Sequence, residues 1–190
     1  MQTTFQYNGL VLLYAYLQRA YVHHRTLELL AAPADPRAAQ QLPSLLDRVG
    51  GAMSAFDKDA GLTADDARAM QDIVDEARPL VQECLPQTGD SPQRQLAAVV
   101  SAVHAEEHIN NGIVRMGELL DPDIADRFRQ RIPFFRSRVA LVSSWVEKAT
   151  KRHELTPDEA AERDRLLSDV TVASRSVDAD LRTITHYLAA

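Results

Sequence analysis

The chain is punctuated by helix starts: Asp35-Pro36, Ser91-Pro92, Asp121-Pro122 and Thr156-Pro157 each place a capping side chain directly before a proline. The cap oxygen accepts from first-turn amides that have no intrahelical partner, and proline lacks only an N–H that this turn does not need. Between these starts, apolar residues recur at spacings of three and four, with no alternating stretch that reads as a strand. The pattern predicts an all-α fold, a single bundle of roughly five to seven antiparallel amphipathic helices. We read residues 1–190 as one domain, long enough to bury about 70 % of the surface its unfolded form exposes.

The first helix is expected over residues 4–30. Leu10, Leu13, Tyr14, Leu17, Ala20 and Tyr21 share one face, and Val11, Leu12, Tyr16 and Val22 spread apolar surface around the rest. A helix apolar on most sides is either central in its bundle or part of an oligomer interface. Residues 36–56 are open between one helix and two, because Pro43 and Gly50-Gly51 interrupt the pattern. Thr63 caps a third helix with Met70, Ile73, Val74, Ala77, Leu80, Val81 and Cys84 inward, and a fourth runs from Ser91-Pro92 to about Leu120. The fifth is expected to carry Ile124, Phe128, Phe135, Val139, Val142, Val146 and Ala149 past a kink at Pro133. Thr156-Pro157-Asp158-Glu159 is a capping box opening the last helix, whose seam is Leu166, Val170, Ala173, Val177, Leu181, Ile184 and Leu188.

A net charge of -6 argues against general nucleic-acid or anionic-membrane binding, which needs a basic face. The single cysteine, Cys84, excludes an internal disulfide, and its apolar neighbours suit a buried, inert thiol. The apolar run 10–17 is too short to span a bilayer and has no cation before it. We expect a cytoplasmic protein. No phosphate loop or nucleophile elbow is present, and tyrosines 14, 16 and 21 at helical spacing suit a core better than a pocket.

One stretch could hold a metal. His104 and His108 stack one turn apart, and Glu107 falls on the apolar stripe of the fourth helix, where a lone carboxylate is costly. On the first helix, His24 and Glu28 continue the inner stripe, also one turn apart. If the polar ends of the two stripes meet, His24, Glu28, His104, Glu107 and His108 supply ligands suited to Fe, Mn or Zn. This pattern resembles metal-binding helical bundles of the DinB-like, hemerythrin-like and ferritin-like families, in which His and Glu from several helices project inward onto one or two metals. It departs from them in lacking a Glu-x-x-His pair and any histidine across residues 31–103. His104-x-x-Glu107-His108 also matches the inverted zinc-peptidase motif. The competing expectation is a buried polar network that fixes helix register, or plain boundary histidines.

Arg127, Arg129, Arg131, Arg136 and Arg138 form two rows flanking Phe128, Ile132 and Phe135, with no acid between Arg127 and Trp145. Such arginines suit covering an apolar seam and pairing with acids of the last helix, or meeting an acidic partner. Without a catalytic signature, we expect a non-enzymatic module that binds a protein partner or a second copy of itself, of regulatory, adaptor or immunity type and with no cofactor. The alternative is a metal-dependent bundle using the His/Glu set.

Overall fold

The computed structural model describes residues 2–190. Among them the chain forms α1 (Gln2–Leu29), α2 (Pro36–Ser54), α3 (Ala64–Gln82), α4 (Pro92–Leu120), α5 (Pro122–Arg129), α6 (Ile132–Thr150), α7 (Pro157–Ala173) and α8 (Val177–Ala189). A 3-10 turn, Ser174–Ser176, splices α7 to α8 without a loop, so that the two read as one bent rod and the bundle as seven helices. No strand occurs among the described residues, and none of their helices is long and apolar enough to cross a membrane.

The caps stand where the sequence sets them. Asp35, Thr63, Ser91, Asp121 and Thr156 each accept from a first-turn amide, and Thr156 and Glu159 complete the reciprocal capping box. One open point is decided and one expectation is corrected. Residues 36–54 form one helix: Pro43 and Ala39, whose carbonyl Pro43 leaves without a donor, are both exposed, so water can take the missing amide's place. The expected fifth helix is instead two, because Pro133 cannot donate to the preceding turn and sits in the first turn of α6, the one place where that costs little. The last rod bends at Ser174 and Ser176, whose hydroxyls donate to the carbonyls of Val170 and Ala173 and compete with the helical ladder.

Helix α1 is the central member, packed against α2, α3, α4 and α8. This accounts for its all-round apolar surface within the chain. The main core joins Leu10, Leu13 and Leu17 of α1 to Leu42 and Val49 of α2, Ile73 and Val81 of α3, and Val177, Leu181, Ile184 and Leu188 of α8. The expected final seam is therefore spent internally. A second core gathers Leu96, Val99 and Val103 of α4 with Val142 and Trp145 of α6 and Leu166 of α7. Cys84 lies fully inside, its thiol facing the Leu80 carbonyl at 3.1 Å, and burial pushes its pKa up to about 12.

α1 and α4 run antiparallel: Val11 meets Gly112, the Tyr14 ring meets His108, and His23 lies by Ala97. The first helix also packs on the last, with Phe5 stacked on Tyr187 and Gly9 against Leu188. Glycines mark the close approaches. A Cβ on Gly117 would lie 2.8 Å from the Ala125 Cα, where backbone must give way, whereas Gly51 has open space. Gly117→Ala should destabilise by about 1–3 kcal/mol. Gly51→Ala, which only improves helix propensity, should stabilise by about 0.5–1 kcal/mol. Urea midpoints that moved together in the two variants would contradict this packing.

Candidate functional site

The five candidate metal ligands do not converge. Because α1 and α4 are antiparallel, His24 lies near the start of α4 while Tyr14 lies beside His108. Ten residues of register along a helix place His24 about 15 Å from His108. His24 instead approaches Glu83, the C-cap of α3, at 3.7 Å, and Glu28 pairs with Arg25. His104, Glu107 and His108 do share a flank. Burial holds both imidazoles below their usual pKa, against a smaller upward pull from Glu107. Glu107 itself is only half-buried, so the stripe does not force a partner on it. Among the described residues, no group of three or more His, Cys, Asp or Glu is arranged to hold a metal ion.

The arginines divide in a way the sequence did not disclose. Arg129 pairs with Glu118 at 2.7 Å and also with Asp126, and Arg138 donates to Glu106 at 2.7 Å. The acids that pair with α5 and α6 are thus mainly on α4, because α4 lies beneath both; from the last helices, among the described residues, Glu159 alone forms an ion pair with α6, through Lys148. Arg127 donates to the Asp123 carbonyl, and Arg131 lies over the Phe128 and Phe135 rings, 5.5 and 5.2 Å from their centroids. Among the described residues, Arg127, Arg131 and Arg136 form no ion pair with a carboxylate.

Arg127, Arg131 and Arg138, the row on one side of the seam, overlook a groove whose floor is α4. Ala102, Ala105, Glu106, Ile109, Ile113 and Met116 lie on one face at helical spacing, and three adjoining hollows follow them. The first, about 350 Å³, lies between α1, α4, α6 and α7 and is lined by Arg19, Tyr16, Glu106, Arg138 and Asp169 among apolar groups. The second, about 340 Å³, is walled by Phe128, Arg131, Phe134 and Phe135. The third, about 450 Å³, lies between Phe5 and Asn8 of α1 and Ile124, Arg127 and Phe128 of α5. The Arg138–Glu106 bridge stands between the first and second hollows, contributing to both. Burial raises the Glu106 pKa and Arg138 opposes that rise.

Two buried polar groups face this groove without full partners. Asn110 donates to the Phe128 carbonyl at 3.2 Å, tying α4 to α5, but its Oδ1 accepts from nothing in the described structure. Arg19 has a free Nε, and only one long hydrogen bond, to the Ser174 hydroxyl at 3.3 Å. Sequence reasoning missed Arg19. The signal was present: it is the only Lys or Arg before residue 25, set in the most apolar helix of the chain. The groove has the materials for recognition: arginines, exposed ring edges and unsatisfied polar atoms over an apolar floor.

Compared with family models, with curated proteins and with solved structures, the chain matches none.

Proposed function

We propose that this protein is a non-enzymatic binding module, of regulatory, adaptor or immunity type, whose α4–α5–α6 groove takes an acidic amphipathic segment of a partner protein. One observation carries the reading. Among the described residues Arg127 and Arg131 form no ion pair with a carboxylate, in a protein with a net charge of -6, and they border an aromatic-walled groove where Phe134 is 54 % exposed. From Glu106 to Met116 the floor extends about 15 Å, enough for two to three turns of a docked helix. Apolar anchors at i, i+3 or i+4, and i+7 would face Ile109 and Ile113, and acidic residues would face the arginines. The proposal includes a cytoplasmic setting, supported by a lone thiol kept buried and unpaired at Cys84.

Selection from a displayed library of random 14-residue peptides tests it. Acidic sequences with helically spaced apolar anchors should be enriched on the wild-type protein. The enriched peptides should bind at least ten-fold more weakly to an Arg127→Glu/Arg131→Glu variant and weaken with added salt. Enrichment of basic or uncharged peptides, or binding that survives the charge reversal, would refute the reading. So would light scattering that finds a dimer which this double variant dissociates, since a second copy would then be the occupant.

A further inference from the structure

The first hollow contains an electrostatic debt that the chain does not settle. Arg19 is 6 % exposed, packed among α1, α4 and the Ser174–Ser176 turn. A guanidinium cannot escape burial by giving up its proton at neutral pH, so it needs a counter-charge or a full set of acceptors. It has neither. Among the described residues no carboxylate forms an ion pair with it, and its Nε has no acceptor. Two nearby acids are engaged, Glu106 by Arg138 at 2.7 Å and Asp180 by the Tyr16 hydroxyl at 2.6 Å, while Asp169 lines the same hollow but forms no ion pair with Arg19.

Space adjoins the unpaired charge. The hollow of about 350 Å³ exists because Ala15, Ala102, Ala105 and Ala173 stand where larger apolar residues would fill it, with Leu166 and Val170 completing an apolar wall. This volume falls within the range of small-molecule sites. The charge lining the hollow limits what can enter. Arg138 is matched by Glu106, which leaves Arg19 and Asp169 as the unpaired charges of the lining; a single negative charge set directly on the guanidinium is tolerable there, whereas a dianion would meet both carboxylates with no second free cation to balance it. A neutral apolar molecule would leave Arg19 as it is.

We propose that this cavity is a binding site for a small monocarboxylate with an apolar body, its carboxylate on Arg19 and its body against the alanine-lined wall. The site lies on the α7 side of the Arg138–Glu106 bridge, next to the part of the groove proposed for the partner, and shares with the adjoining hollow only Glu106, Ile109 and Arg138. Octanoate and 3-phenylpropionate are suitable probes, with octanol and octyl phosphate as controls, in titration calorimetry and thermal unfolding of the whole chain. Octanoate or phenylpropionate should bind saturably at one site and raise the melting temperature, and both controls should bind at least ten-fold more weakly. Arg19→Met should remain folded, being relieved of an unpaired charge, and lose at least ten-fold in carboxylate affinity. Ala102→Leu, which narrows the hollow and keeps Arg19, should lose affinity similarly and decides the matter if Arg19→Met does not fold. Binding of neither carboxylate, octanol as tight as octanoate, or undiminished binding by either folded variant would overturn the site. Peptide selection on the neighbouring groove would be unaffected by that failure.

Discussion

Shifting the protein from pH 6.5 to pH 5 should cost it about 2 kcal/mol of stability through His23 alone, and about 4 kcal/mol by pH 3, at up to about 1.4 kcal/mol per pH unit. His23 is buried beside His24, with neither ring nitrogen hydrogen-bonded to a side chain, and its pKa is pushed down to about 3. Burial dominates; His24, Arg94 and Arg19 repel the added charge, while the Ala97 backbone favours it. The unfolded chain therefore takes up this proton near pH 6.5, and the folded chain resists it until far lower. The stability is complete above the unfolded value and is lost as pH falls toward the folded one. His24 has the same direction of shift. Glu106, raised by burial, works in the opposite sense, and the depressed carboxylates such as Asp35 and Glu159 act mainly below pH 5. Urea titrations from pH 7 to pH 5 thus report chiefly on the imidazoles. A His23→Leu variant should have a visibly shallower pH dependence; an unchanged slope would mean that the ring is hydrated in the native protein.

Trp145→Ala should destabilise the fold by about 3–5 kcal/mol. The indole is fully buried among Leu96, Val99, Val100, Val142 and Leu166, and it holds α6 and α7 to α4. Its Nε1 has no acceptor, so Trp145→Phe forfeits ring area but no hydrogen bond and should cost about 1–2 kcal/mol. Circular dichroism is the readout, since Trp145 is the only tryptophan. Equal losses in the two variants would show that the indole N–H matters more than the packing. The alanine variant also removes support from the groove wall, so partner peptides should bind it more weakly even where it remains folded.

Helix starts were legible because a cap is a local matter: one side chain, one or two amides and a proline decide it, and all of these are neighbours in the chain. The all-α class followed from the same local rules. The breaks at residues 130–131 and 174–176 were harder, because the apolar spacing runs unbroken across them, and only Pro133 and the serines hint at them. Pairings between helices were not legible. His24 and the His104–His108 flank looked like partners because both helices turn polar there, but antiparallel packing sets His24 toward the start of α4, about 10 Å along the axis from His104. The arginine row was visible, but which members are already satisfied depends on Glu106 and Glu118, a helix away. Glu107 on the stripe suggested a buried acid; the structure leaves it half-buried and turns Glu106 toward α6 instead.

The contact of α1 with α8 has a consequence for biosynthesis. While the ribosome is still adding residues, the nascent chain exposes the Leu10, Leu13 and Leu17 face without the Leu181, Ile184 and Leu188 that finally cover it. Closure of the main core must wait for translation to reach the end of α8, which leaves a sticky amphipathic rod available to chaperones during synthesis.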